Sequence, residues 1–131
     1  MNMKQKLIKG FTLGILALGI MGMSSNVARA NTINRNVNGC NFSAYTYANQ
    51  TTGTAGTSGT SASLYVEVSA DYAYVNVNTL QTGSYHLAKA GSNSVYVSFV
   101  APNSCHTVYT EANHYARSGS ESWSGKTKET Y

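Results

Sequence analysis

Between Val95 and Ala101 the residues Val95, Val97, Phe99 and Ala101 share one parity, while Tyr96 and Ser98 take the other. Successive side chains of a strand point to opposite faces, so this stretch predicts a β-strand with one buried face. Pro102, the only proline of the chain, follows with Asn103 and Ser104. Proline has no amide to give to a ladder, so a turn is expected there, with Cys105 opening the next strand.

The same alternation recurs along the chain. Cys40, Phe42, Ala44 and Ala48 oppose Tyr45 and Tyr47, and Leu64, Val66 and Val68 share a face of the segment Ser63 to Ala70. From Ala73 to Val77 the apolar parity switches without a glycine or proline, which predicts a bulge or a strand passing between sheets. Turn residues at Thr82-Gly83-Ser84 and Ala90-Gly91-Ser92-Asn93 bracket Tyr85 to Ala88, a short edge strand. Arg117-Ser118-Gly119-Ser120 is a last turn signal, after which Glu121 to Lys128 returns as a hairpin beside Cys105 to Ala116. Inward Cys105 and Tyr109 would also bury Glu111, a conflict removed by a bulge near Thr110 or by inward Val108 and Ala112. Helix formers never fall at helical spacing. The fold expected is all-β: a small immunoglobulin-like β-sandwich of six to seven antiparallel strands with one disulfide.

Two stretches resist this pattern. Asn31 to Gly39 is polar and asparagine-rich and is expected to be a flexible arm. Asn49 to Ser61 is almost only Thr, Gly, Ser and Ala, with glycines at 53, 56 and 59. Such a run carries too little apolar surface to offset its ordering entropy and reads as a long flexible loop.

The N-terminus has the form of a secretory signal peptide. Lys4, Lys6 and Lys9 precede an apolar run from Phe11 to Met23, and Ala28-Arg29-Ala30 places small residues where a signal peptidase reads them. The apolar run is shorter than the roughly 20 residues a bilayer span needs. Residues 1–30 are thus expected to be a signal cleaved after Ala30, 31–39 an arm, and 40–131 a single domain, secreted and without a membrane anchor after processing. Removing Lys4, Lys6, Lys9 and Arg29 leaves five cations against five acids. A phosphate-binding surface needs clustered cations, so nucleic acid is excluded as a partner. Cys40 and Cys105, in an exported chain, are expected to pair. Closing a loop of that length would contribute about 4 kcal/mol.

The remaining residues offer little chemistry. Asp71 is the only aspartate and the four glutamates stand singly, so no carboxylate pair is set for acid–base work. His106 and His114 lie eight residues apart, roughly 26 Å along a strand, and cannot share a metal there. No Gly-x-Ser-x-Gly elbow occurs. No catalytic residue, metal or cofactor is therefore assigned, and the chain is read as non-enzymatic. Asn49-Gln50-Thr51-Thr52-Gly53 resembles the Asn-Pro-Thr-Thr-Gly loop of the chagasin-type inhibitors of papain-like cysteine proteases, which are small β-sandwich domains. It covers five residues with one mismatch, and that family's other two loop motifs have no counterpart here, so protease inhibition ranks third.

Tyrosine is the functional feature left. Tyrosines that alternate with valine or phenylalanine should face outward, where a rigid ring with a polar tip makes contacts at low entropy cost. Tyr45, Tyr47, Tyr65, Tyr96 and Trp123 form the candidate contact surface. The expected activity is that of a secreted bacterial domain contacting cell-envelope glycan or protein. A released, bacteriocin-like antagonist of neighbouring bacteria is the alternative.

Overall fold

The structure is a computed structural model that describes residues 29–131. Most of the expected signal segment lies outside the described residues. Eight strands follow one another: β1 (Arg29–Val37), β2 (Cys40–Ala48), β3 (Thr52–Gly59), β4 (Tyr65–Asn76), β5 (Thr82–Ser92), β6 (Ser94–Val100), β7 (Cys105–Ser118) and β8 (Glu121–Thr130). They form two antiparallel four-stranded sheets, ordered β1-β2-β3-β6 and β5-β4-β7-β8, packed face to face as a sandwich. The chain crosses between sheets after β3, β5 and β6.

The count of eight exceeds the six to seven expected because two segments read as irregular are strands. The supposed arm is β1, which pairs along its whole length with β2 and contains Ala30, opposite Tyr47. Asn38 and Gly39 join the two strands, both at positive φ (49° and 80°), the two-residue turn whose twist suits a hairpin. The supposed loop is β3, an inner strand between β2 and β6. Its own side chains are small, and rings from neighbours fill the space above them: Tyr72 lies against Gly53 and Tyr45 against Gly56. A stretch that carries no apolar payload is thus buried by that of others.

The disulfide is the second correction. Cys40 and Cys105 are both free and buried. The Cys40 thiol lies 3.5 Å from the Ser118 hydroxyl, at one end of β7, and Cys105 begins that strand thirteen residues away, roughly 40 Å in extended chain. A disulfide needs Cα atoms within about 7 Å, so the two cysteines cap opposite ends of the sandwich.

The bulge is where the parity change placed it. Ala73 pairs with Tyr109 and Tyr74 with Thr107, leaving Val108 as the extra residue on β7. Cys105 and Thr107 point inward before it, and Val108, Thr110, Ala112, His114 and Ala116 are buried from it onward. Glu111 is thereby turned outward. The hairpin of β7 and β8 forms as expected, with Ser118 opposite Glu121.

The main core joins Phe42, Ala55, Leu64, Val66, Val68, Ala70, Val95, Val97, Phe99, Ala112 and Ala116 around Tyr72. Burying each of the larger aliphatic side chains contributes roughly 1.5–3 kcal/mol. Tyr72 is fully buried, stacked 5.1 Å from Phe99, and its hydroxyl shares a 2.7 Å hydrogen bond with Thr107. That bond spares a phenol in the core the cost of an unpaired polar group.

Candidate functional site

The two sheets present different outer faces. On the β1-β2-β3-β6 sheet, Phe42, Ala44, Thr46 and Ala48 point inward, so the alternate positions of β2 and their partners point out. In register across the four strands these are Asn34–Ser43–Ser58–Ser94, then Thr32–Tyr45–Gly56–Tyr96, then Ala30–Tyr47–Thr54–Ser98. None of these side chains is charged. Their hydroxyls and amides are linked into rows, Ser43 to Asn34 at 2.6 Å, Ser58 with Ser94 at 3.0 Å and Asn36 to Asn41 at 2.8 Å.

The middle row forms a platform. A Cβ built on Gly56 would lie 2.5 Å from the Tyr45 hydroxyl and 2.6 Å from the adjoining ring carbon. The ring therefore lies down across the glycine, and its far face is open to solvent. Burial against this floor pushes the Tyr45 phenol up from its ordinary range, and the neighbouring Tyr96 phenol adds to the shift. Tyr96, directly across Gly56, is 59% exposed. Neighbouring strands are about 4.8 Å apart, so Tyr45 and Tyr96 spring from strands about 10 Å apart. The Lys89 ammonium, reaching round from β5, sits 5.7 Å from the Tyr96 ring at the rim.

Of the five aromatic residues singled out in the sequence, Tyr45, Tyr47 and Tyr96 share this face. Tyr65 does not: it belongs to the other sheet, where its hydroxyl donates to Glu67 at 2.7 Å and Arg117 covers its ring at 5.2 Å. The hydrogen bond to Glu67 is the main cause that raises its pKa. Trp123 packs inward, 5.3 Å from Phe42, and lies over Gly125. Gly56 and the serine and asparagine rows were not singled out. Their only signal in the sequence is parity, which the reading of β1 and β3 as irregular concealed.

The outer face of the second sheet is charged. Its strands carry Glu67, Asp71, Glu111, Arg117, Lys126 and Lys128, with Lys126 and Glu111 3.2 Å apart. A shallow trough of about 780 Å³ runs between Glu67, Lys89, Tyr115 and Lys126 over small residues of β5 and β8. Beside it Asp71 Oδ1 lies 2.8 Å from His86 Nδ1, and His86 Nε2 lies 3.3 Å from Ser69 Oγ. This is the order of groups in a serine hydrolase relay. Ser69 stands in the middle of β4, paired on both sides, so the nearby amides are spent in the ladders rather than aimed at an oxyanion. The row is a cross-strand hydrogen bond with a hydroxyl beside it.

The three histidines are kept apart. His106 meets Gln50 at 3.1 Å and His114 is buried between Thr57 and Thr127. Among the described residues no three His, Cys, Asp or Glu side chains converge on a metal position. The segment likened to a protease-inhibitor loop is a tight turn, in which the Asn49 side-chain oxygen Oδ1 accepts from the Thr51 and Thr52 amides. Its Thr52 and Gly53 already belong to β3. No protein-family model matches the chain, and no curated protein or solved structure matches it.

Proposed function

We propose that this chain is a secreted, non-enzymatic bacterial domain of immunoglobulin-like build that acts by surface contact. Its ligand is uncharged cell-envelope glycan, held on the outer face of the β1-β2-β3-β6 sheet. The observation that carries this reading is Tyr45 lying on Gly56 with Tyr96 across from it, in a face without a charged residue of its own. A pyranose ring offers one face of C–H bonds, which stacks on a phenol ring, and a rim of hydroxyls, which Ser, Thr and Asn can bond. The span of about 10 Å across the middle row suits a disaccharide lying across the strands. The strand order supports the build: β2-β3-β6 facing β5-β4-β7-β8 is a Greek-key sandwich, with β1 added at its edge.

The test is retention of the purified protein on insoluble neutral wall polysaccharide, with a phosphate-rich wall polymer in parallel. Tyr45→Ala and Tyr96→Ala should each weaken retention about tenfold, the loss of one stacking contact. Tyr65→Ala, on the other sheet, should leave it unchanged. Equal losses from all three substitutions, or preference for the anionic polymer, would reject the proposal.

A further inference from the structure

The four sheet edges of this sandwich are guarded unequally. The β8 edge carries Glu121, Lys126, Lys128 and Glu129, and the β1 edge carries Arg35. Charged side chains on an edge discourage another strand from pairing with it. On the opposite side of the sandwich, β6 has no charged residue and β5, eleven residues long, has Lys89 alone besides His86. All the large hydrophobic residues left exposed among the described residues lie on or beside these two strands: Leu80, Tyr85, Leu87, Tyr96 and Val100. Proline, the other common guard, is absent from both strands and first appears at Pro102, past the end of β6. The β5–β6 side is thus the one open to strand addition: its charge is as sparse as that of β1, but the exposed apolar residues gather on it.

We infer that the open edge is completed by a second copy of the chain, β5 pairing antiparallel with the partner's β5 about a two-fold axis at Leu87. Two observations select this occupant and this register. Leu87 is the midpoint of β5, so an axis there pairs all eleven residues and joins the two β5-β4-β7-β8 sheets into one. The same axis sets Leu87 against the partner's Leu87 and Tyr85 against the partner's Lys89, with His86 against the partner's Ala88. No like charges meet, and both 43%-exposed residues of the strand, Tyr85 and Leu87, are covered. An axis at Lys89 would instead oppose two ammonium groups, and one at His86 would oppose two imidazoles. A self-complementary strand is what a two-fold interface requires. The glycan platform lies on the other sheet, so pairing through β5 places two such faces on one particle, an arrangement that raises retention on a polymer through effective concentration.

Light scattering on the purified protein should give twice the mass of one chain. Leu87→Lys, which brings two ammonium groups together on the axis, should give the single mass with an unchanged circular dichroism spectrum, since Leu87 is exposed in the separate sandwich. A single-chain mass for the natural sequence at every attainable concentration, or a double mass that survives Leu87→Lys, would overturn the inference. Register is read independently by thiol cross-linking, with the natural chain and its two buried cysteines as the blank. Leu87→Cys should form a disulfide between copies under oxidant. Ser84→Cys should not, because the axis sets Ser84 opposite the partner's Ala90, and equal cross-linking of the two variants would refute the axis.

Discussion

Tyr45 lies flat across Gly56, its cross-strand partner, because the glycine has no Cβ to hold the ring off the sheet. The pair belongs to a wider habit of this fold. Tyr74 lies in the same way on Gly83 and Trp123 on Gly125, aromatic cover for glycines that would otherwise leave gaps in a sheet. What differs is which side of the sheet the pair faces, and that decides its consequence.

Two glycines of β3 separate the cases. Gly56 faces outward, so Gly56→Ala should lift the Tyr45 ring into solvent, cost about 1 kcal/mol or less, and remove retention on neutral polysaccharide as Tyr45→Ala does. Gly53 faces the core, where a Cβ would meet Thr110 and lie 2.7 Å from the Tyr72 ring. Tyr72 is stacked on Phe99 and cannot swing away. Gly53→Ala should therefore destabilise by roughly 1–3 kcal/mol, as overpacking does. Urea unfolding of the two variants measures the contrast; equal losses would contradict the opposite facing of the two positions.

Much of this was legible wherever a strand carries its own apolar residues. The alternation around Phe99 and Phe42 placed β6 and β2, and the Gly119 turn placed the β7–β8 hairpin. β3 was hidden for a physical reason: its own residues are small, and it is buried by Tyr72 and Tyr45, which stand on other strands, and by Leu64, which lies just before β4. β1 was hidden by its polar composition, although Asn38-Gly39 between Val37 and Cys40 is a strong local hairpin signal. For the site, parity turned Tyr45, Tyr47 and Tyr96 outward. Parity cannot say which sheet a tyrosine joins, so Tyr65 was grouped with residues from which the sandwich separates it. The cysteines failed differently. The expectation of export suggested a pair, but only the path of β7 shows that Ser118, not Cys105, reaches Cys40.

His114 ties the sheets together and sets an acid limit on stability. Thr57 donates to the Glu67 carbonyl at 2.9 Å, so its oxygen accepts from His114 Nδ1 at 3.0 Å, and Nε2 accepts from the Thr127 hydroxyl at 2.7 Å. The neutral ring satisfies both threonines. Burial pushes its pKa down from 6.5 to about 4. The unfolded chain thus binds the proton first as pH falls, and folding stability is fully present above about pH 6.5 and declines toward pH 4. The loss should approach about 3 kcal/mol across that window. In His114→Gln the part of the slope between pH 7 and about pH 5 should flatten in urea titrations. An unchanged slope would assign the acid sensitivity to other groups.

The free thiols make a redox prediction. Cys40 rests among Ser63 and Ser118 at one end of the sandwich, and Cys105 lies at the other. Adding a reductant should leave the melting temperature unchanged, and thiol titration should find no reactive group in the folded protein but two in denaturant. A melting temperature lowered by several degrees under reductant would restore the bridge that the fold rules out.

Leu80 offers a test of backbone strain away from every proposed surface except the rim of the open edge. It sits at φ 63° in the turn between β4 and β5, its amide donating to the Asn76 carbonyl at 2.8 Å, while its side chain is 43% exposed. An L-residue with a Cβ in the left-handed region costs roughly 1–2 kcal/mol, and an exposed leucine recovers little of that by packing. Glycine adopts this φ freely, though the unfolded chain gains entropy in exchange. Leu80→Gly should accordingly stabilise the protein by about 1 kcal/mol, equivalent to a rise of roughly 4–8 °C in melting temperature for a domain this size. It should leave dimer mass and polysaccharide retention as they were, because neither the β5 axis nor the Tyr45 platform includes it. A lower melting temperature would mean that the leucine side chain holds the turn against β5 more strongly than its backbone strains it.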